Sequence, residues 1–196
     1  MSGSDILNLL RVLLRDTSRG MATTATFYED DVLLRALNIA QQEVALALIQ
    51  REPRADITVS RLLKADNAAT AGFPGSAVQS DFWFLECGYF VDGEGRTQYV
   101  PAKSMEYGMR SQYTYQNYVF VQAGHYYGSG FTNILYWRLP TTIVPTITPM
   151  TDFADAFYHV VKTKAAIDLL AQDDHDALDR WNALNSDFEK AIATLK

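Results

Sequence analysis

The sequence is poor in the residues that bind metals or form crosslinks. It has one cysteine, Cys87, which cannot form an internal disulfide. Its three histidines, His125, His159 and His175, lie in different predicted elements, and none has a partner at a zinc-binding spacing. We therefore expect no disulfide and no metal site. Cys87 is interpreted as a small buried residue of a strand.

The sequence also lacks the short motifs that mark common active sites. It contains no GxSxG motif, no Walker-type phosphate loop and no dinucleotide fingerprint. The glycines of DGEG (92–95) and GSG (128–130) are typical of turns. The acidic run QDDHD (172–176) lacks the residue pattern of a calcium loop. We expect no enzyme activity and no cofactor.

Clustered positive charge and long apolar runs are missing as well. The net charge is -6, whereas a general grip on nucleic acid needs clustered Lys and Arg residues. No run approaches the ~18–20 apolar residues of a membrane span, and Asp5, Arg11 and Arg15 interrupt any signal-peptide core. Because 48% of the residues are apolar, a sizeable core can form. We expect a soluble protein made in a reducing cytoplasm, without a membrane partner.

Two helices are predicted near the N-terminus. Ser4 can cap the first, which would bury Ile6, Leu9, Leu10 and Leu13. The second is predicted over residues 29–50, and its acidic start suits the positive end of the helix dipole. Apolar residues follow its helical spacing at Leu33, Leu37, Ala40, Val44 and Leu48. After it, residues 60–69 suit a short helix, although a strand could equally begin at residues 57–59.

The middle of the sequence is rich in aromatic residues and glycine, and it predicts strands. Residues 82–91, a turn at 92–95 and residues 96–101 indicate a β-hairpin. Residues 118–123 and 134–139 are predicted to pair across a loop at 124–131. We therefore expect four short strands in one small antiparallel sheet.

Three prolines, Pro140, Pro145 and Pro149, separate the last strand from a C-terminal helical hairpin. They indicate a stiff, extended connection. The next helix is predicted from about Asp152 to residue 171, with Asp152 and Asp155 close to a capping-box arrangement. The final helix is predicted to run nearly to Lys196. Its apolar residues alternate spacings of four and three: Ala177, Trp181, Leu184, Phe188, Ala191 and Leu195.

These elements predict an α+β fold that is mainly α. The terminal helices would form a bundle, and a small antiparallel sheet would project from it as an inserted arm. We expect one domain, with N-terminal helices at 1–70, the β-rich arm at 80–140 and a C-terminal α-hairpin at 150–196 that completes the bundle.

Two groups of side chains have more than one interpretation. Lys164 and Asp168 fall within the apolar arc of their predicted helix. They are either an intrahelical ion pair, worth about 0.3–0.5 kcal/mol, or a contact between subunits that sets the register. The tyrosines of the middle segment suit either a sheet core with a protein contact, or the stacking of bases or sugars. They are Tyr107, Tyr113, Tyr115, Tyr118, Tyr126 and Tyr127.

The order of the elements resembles that of the head-to-tail adaptor proteins of tailed bacteriophages, also called connector or head-completion proteins. FYEDDVLLRALNIAQQEVALAL (27–48) is similar to the first long helix of that family. SDFWFLECGYFVDGEGRTQYVPAKSMEY (80–107) resembles its strand, glycine turn, strand and short polar helix. ILYWRLPTTI (134–143) with FADAFYHVVKTKAAIDLL (153–170), and DALDRWNALNSDFEKAIATL (176–195), resemble the return strand and the last two helices.

The resemblance implies a virion protein assembled in the host cytoplasm and located at the neck. It would form a homo-oligomeric ring, commonly of twelve copies, below the portal protein, and a tail or neck component would dock on its other face. Double-stranded DNA would pass through without specific binding, which suits an acidic chain, and we expect Asp and Glu side chains to line the channel.

The resemblance also gives three sets of expected contact residues. Contacts between subunits are expected at Lys164, Asp168, Trp181 and Phe188. A tail-facing arm is expected at Gly93, Gly95, His125, Tyr126 and Tyr127. The portal-docking end is expected at Lys190, Thr194, Leu195 and Lys196.

Two other classes of function stay open at this point. The aromatic sheet could belong to a soluble binding module that grips a glycan or a peptide. A hydrolase would require Asp, Glu and His side chains to converge in one pocket, and their spacing in the sequence does not indicate such convergence.

Overall fold

Four helices and six strands make up the described part of the chain. The computed structural model describes residues 1–14, 28–50, 62–67, 75–103, 117–147, 150–171 and 178–194, without the side chains of 178–181 and 194. The helices are α1 (Gly3–Leu14), α2 (Asp30–Ile49), α3 (Asp155–Leu170) and α4 (Leu178–Thr194). The strands are β1 (Leu63–Asp66), β2 (Phe82–Val91), β3 (Thr97–Pro101), β4 (Tyr118–Gln122), β5 (His125–Ser129) and β6 (Asn133–Arg138).

The prediction of a mainly α chain with a terminal helix bundle is wrong. The fold is α+β, about 45% helix and 27% strand, with its strands in two antiparallel sheets. Two of the six strands were not predicted. Strand β1 forms where a short helix was considered, and β5 forms inside the predicted loop at 124–131. Both are only four or five residues long and gain their stability from neighbouring strands, which a local pattern does not reveal.

The chain divides into two compact units. A helical unit comprises residues 1–61 and 140–196, and a β unit comprises residues 62–139. The helical unit is therefore built from two separate stretches of sequence, and the β unit from one continuous stretch between them.

Helix α3 lies at the centre of the helical unit and packs against α1, α2 and α4. The apolar face predicted for α2 is confirmed, since Leu33, Leu37, Ala40, Val44 and Leu48 are all buried. By length and composition alone α2 could cross a membrane, with a mean hydropathy of 1.4, and it is the one such helix in the described part of the chain. Its buried face in this unit explains that apolar composition.

The first helix begins with a reciprocal cap at Ser2, and not at Ser4 as predicted. The Asp5 amide donates to Ser2 Oγ at 3.1 Å, and the Ser2 amide donates to Asp5 Oδ2 at 2.8 Å. The hydrogen bonds that Ser2 makes to the Asp5 carboxylate, through its side chain first and then its amide, lower the pKa of Asp5. Ile6 and Leu10 are buried as expected, whereas Leu9 and Leu13 are only half-buried and Leu7 and Leu14 take their place in the core.

The proline-rich connection is held against the helical unit by side chains. Asn38 of α2 accepts a hydrogen bond from the Ile143 amide at 2.7 Å and donates one to the Ile143 carbonyl at 3.1 Å. Gln41 donates to the Thr141 carbonyl at 3.0 Å. Asp152 accepts from the Thr141 amide at 2.6 Å, so it does not cap α3 as predicted. We call residues 140–147 the docked segment; Pro149 lies outside the described residues.

The β unit contains two antiparallel sheets. The larger has the strand order β1-β6-β2-β3, and the smaller pairs β4 with β5. The hairpin predicted at 82–101 is confirmed, but the predicted pairing of 118–123 with 134–139 is wrong, because β6 pairs with β1 and β2. The core between them holds Val100, Val119, Tyr126, Phe131, Ile134 and Tyr136.

The turn between β4 and β5 explains why the shorter pairing forms. Ala123 and Gly124 both have positive φ angles, 46° and 74°, in a two-residue loop. Such a loop matches the right-handed twist of a hairpin, and residues 118–129 can pair without closing a long loop. Because Asn or Gly usually occupies the first of these positions, the alanine there gives no sequence signal for the turn.

We expect Ala123→Asn to raise the free energy of unfolding by about 0.5–1 kcal/mol, because asparagine tolerates the left-handed conformation better than alanine. Gly124→Ala should lower it by about 1 kcal/mol, since the adjacent φ of 74° then carries a Cβ. Urea unfolding of the three proteins checks both directions. An Ala123→Asn protein less stable than the parent would contradict the turn geometry.

We expect Gly3→Ala to lower the free energy of unfolding by about 2–3 kcal/mol. A Cβ at Gly3 would lie 1.9 Å from the Val144 carbonyl oxygen of the docked segment, so either α1 or that segment must move. Gly93→Ala is the matched control, because its Cβ would meet nothing within 4 Å. Equal urea midpoints for the two variants would show that α1 and the docked segment do not approach closely.

Candidate functional site

The tip of the β2–β3 hairpin is held rigid by one carboxylate. Asp92 accepts hydrogen bonds from the amides of Glu94 and Arg96 at 3.0 and 2.9 Å. It also accepts from Arg96 Nε at 3.2 Å and from Gln98 Nε2 at 3.3 Å. These bonds, the Arg96 amide first, hold the pKa of Asp92 below its ordinary value. Gly95 supplies the positive φ of 78° that lets the turn close.

One face of the larger sheet points away from the core of the β unit and carries aromatic side chains; we call it the outer face. Tyr89 and Tyr99 lie opposite each other on it, with ring centroids 6.4 Å apart. Tyr89 donates to Asn67 at 2.9 Å, and Tyr99 is 69% exposed. A single exposed aromatic side chain is common on protein surfaces, so Tyr99 marks the accessible end of this face without defining a site.

Farther along the outer face, Trp137 is covered by its own neighbours. It stacks with Phe84 at a centroid distance of 6.1 Å and donates its indole N–H to Glu86 Oε2 at 2.7 Å. Glu86 lies at an irregularity of β2, where the register with β6 shifts. Because Trp137 is only 3% exposed, the accessible part of the outer face lies at the Tyr89–Tyr99 end.

A polar cluster lies at the border of the core of the β unit, where the side chain of Asp81 is 40% exposed. Tyr136 donates to Asp81 at 2.8 Å, and Gln79 donates to the buried Asp66 at 2.8 Å. Burial, followed by the Asp81 hydrogen bond, raises the pKa of Tyr136 to about 12. The hydroxyl of Tyr126 is fully buried and makes no hydrogen bond of normal geometry in the described part of the chain. Burial, and then Asp66, raise the pKa of Tyr126, whereas the nearby backbone amide of Gln79 acts to lower it. The cluster keeps both tyrosines neutral and fits a structural role.

Lys164 is paired within its own chain. Its ammonium lies 2.6 Å from Asp168 and 2.7 Å from Glu43 of α2, so the ion pair links two helices as well as two turns of α3. Burial acts to lower the pKa of Lys164, but the bonds to Asp168 and Glu43 outweigh it and the pKa is raised. These intrachain contacts account for both residues, and their role between subunits stays a prediction.

Of the other residues predicted to contact neighbouring subunits and the portal, those that the structure describes lie on α4. Phe188 is half-buried, and the side chain of Trp181 lies outside the described residues. Lys190 is exposed beside Asp187 at 3.9 Å. The side chain of Thr194, and Leu195 and Lys196, also lie outside the described residues, so the structure shows one residue of the predicted portal-docking end.

The predicted tail-facing residues are divided between two hairpins. Gly93 and Gly95 lie at the exposed β2–β3 tip. His125 and Tyr127 lie on β5 and are half-buried, with His125 Nδ1 3.0 Å from the Ala123 carbonyl. Tyr126 is 0% exposed in the core and is unavailable at the surface of its unit.

No group of three or more His, Cys, Asp or Glu side chains in the described residues could hold a metal ion. His159 is exposed on α3, and His175 lies outside the described residues. Cys87 is half-buried, and burial followed by Glu86 raises the pKa of its thiol, which disfavours the reactive thiolate.

The sequence analysis did not identify the buried contacts of Asn38 and Gln41 or the exposure of Tyr99. Asn38 and Gln41 stand among the apolar residues of α2, and a polar residue inside an apolar stripe is the signal that could have identified them. The exposure of Tyr99 had no clear signal, because RTQYVP does not alternate: Gln98 shares a face with the buried Val100. No known protein family and no curated protein matches this sequence.

We expect Tyr136→Phe to lower the free energy of unfolding near neutral pH and Tyr126→Phe not to lower it. The first removes a hydrogen bond to a carboxylate and should lower the free energy of unfolding by about 1–2 kcal/mol. The second removes a buried hydroxyl without a partner and should leave that free energy unchanged or raise it. Urea unfolding at about pH 7 measures both, and an equal loss in both variants would contradict the assigned contacts.

The raised pKa of Tyr136 predicts that the protein loses stability at alkaline pH. Because the folded state raises the pKa of Tyr136 from 10.0 to about 12, its contribution is complete below pH 10 and is lost as the pH rises toward 12. We expect Tyr136→Phe to lose less stability than the parent over this interval. Unfolding at about pH 9 and about pH 11.5 provides the comparison.

Proposed function

We propose that this chain is a structural subunit of the head-to-tail junction of a tailed bacteriophage. It would form a ring below the portal protein, extend the DNA channel and present a docking platform to a tail component. The order of helices and strands quoted above supports the proposal.

The observation that carries the proposal is the incomplete burial of α4. Leu184, Phe188 and Ala191 lie on its apolar seam but are only half-buried, and Ile192 is the one buried side chain among those described on this helix. Helix α3, of similar length, buries nine residues. An amphipathic helix that leaves its apolar seam partly open in a single chain can complete its burial against another subunit.

The rest of the helical unit is consistent with such a contact. Val12 on α1 and Val32 and Ile39 on α2 are exposed, with Val32 and Ile39 two turns apart on one side of α2. A ring subunit needs two different surfaces, one for each neighbour, because a heterologous interface joins unlike patches. The net charge of -6 would limit adhesion of DNA to the channel.

Electron microscopy of the chain mixed with its virus's portal protein tests the proposal. We expect an added ring of density below the portal, at about one copy per portal subunit, with Asp and Glu side chains facing the channel. Free portal and free monomer at concentrations well above micromolar would contradict it and favour a soluble binding module. A channel lined mainly by Lys and Arg would contradict the DNA-sliding role.

A matched pair of α4 variants then tests the seam. We expect Phe188→Ser to abolish or weaken the ring and Ala183→Ser, at an exposed position of the same helix, to leave it intact. Thermal unfolding of both monomers is the control for loss of structure. A ring that forms equally well with Phe188→Ser would exclude the seam as a subunit contact.

A further inference from the structure

The tip of the β2–β3 hairpin carries the single Asp-Gly pair of the sequence, Asp92–Gly93. An aspartate followed by glycine isomerises more readily than one followed by a larger residue, because glycine leaves its backbone nitrogen unshielded. That nitrogen is open here, since Gly93 is exposed and a Cβ at this position would meet nothing within 4 Å. The pair therefore has both the composition and the exposure of a site of backbone modification.

The isomerisation needs no reagent other than water. The Gly93 nitrogen bonds to Cγ of the neutral Asp92 carboxyl group, whose hydroxyl leaves together with the amide proton as water. A five-membered succinimide ring results. Water then opens the ring at either carbonyl carbon. Addition at Cγ restores aspartate, whereas addition at the main-chain carbon leaves the chain running through Cβ and Cγ, which is isoaspartate.

The folded turn fixes both of the rotations that ring closure requires. The Gly93 nitrogen reaches Cγ only by rotation about the Cα–C and Cα–Cβ bonds of Asp92. The first rotation is opposed because the Asp92 carbonyl accepts the Gly95 amide at 3.0 Å, and the Asp92 amide donates to the Arg96 carbonyl at 3.0 Å. The second is opposed by the hydrogen bonds that hold the carboxylate.

The same hydrogen bonds keep the carboxyl group in its unreactive form. Ring closure uses the neutral acid, because a carboxylate has no hydroxyl to release. The Arg96 amide first, and the other donors after it, hold the pKa of Asp92 below its ordinary value and favour the carboxylate. Arg96 also pairs with Glu94 at 2.7 Å, which helps to keep the guanidinium at the tip. Opening of the tip removes these bonds and restores the reactive acid.

We propose that Asp92–Gly93 is a latent isoaspartate site, which reacts from the opened hairpin tip and is suppressed by the folded turn. The rate of isomerisation then follows the frequency of local opening. Because isoaspartate adds a methylene group to the main chain, the turn cannot close again with the same hydrogen bonds. The inference goes beyond the proposed ring and requires only the hairpin. In a neck protein, the change would alter the predicted tail-facing tip.

Mass spectrometry of the aged protein tests the site. The full chain and the unpaired peptide acetyl-FVDGEGRTQY-amide (residues 90–99) are incubated together in mildly acidic buffer at body temperature, and isoaspartate is located by fragmentation of the proteolytic peptides. We expect isoaspartate at residue 92 of the peptide, and formation at least about tenfold slower in the full chain. Equal rates would overturn the proposal, because the folded turn would then give no protection.

The variant Gly95→Ala separates the turn from the reacting groups. It leaves Asp92, Gly93 and the side chains that bond the carboxylate unchanged, but a Cβ at a φ of 78° strains the turn and opens it more often. We expect isoaspartate at residue 92 to form about tenfold faster than in the parent chain. A rate equal to that of the parent would overturn the proposal.

The matched control is Gly124→Ala, which places the same strain, at a φ of 74°, in the β4–β5 turn. Its rate at residue 92 should equal that of the parent. Equal acceleration in both variants would show reaction from the globally unfolded chain and would overturn a site controlled by its own turn. Because the experiment uses the free chain without a portal protein, its result is independent of whether a ring forms.

Discussion

The docked segment must satisfy its backbone groups without a neighbouring strand, and the helical unit is arranged around that requirement. Ile143 is 1% exposed, so its amide and carbonyl cannot rely on water, and Asn38 bonds both. Gln41 and Asp152 do the same for Thr141. The start of α1 also joins here, through the Gly3 amide and the Ile147 carbonyl at 2.9 Å. One extended segment is therefore bonded to two helices, α1 and α2, and to Asp152 just before α3.

The β unit distributes its unpaired polar groups in a different way. Among the described residues, the buried side chains of Asp66 and Tyr136 have partners, whereas the buried Tyr126 hydroxyl makes no hydrogen bond of normal geometry. The free amides and carbonyls of β3 lie at the surface, where water replaces a missing strand at little cost. An unpaired group at an exposed edge is available to a partner, whereas one in the core is a cost to stability.

The sequence by itself determined the elements whose signal is local. The predicted helix α2 forms because Leu33 to Leu48 repeat at helical spacing. The predicted hairpin of 82–101 forms because DGEG favours a turn between its two strands. Tertiary structure decided the rest. It chose β5 as the partner of β4, drew β1 into the sheet and placed Asp152 on Thr141 instead of at a cap. It also exposed Tyr99 while it buried Tyr126. These outcomes depend on contacts between distant residues, and such contacts leave no period in the sequence.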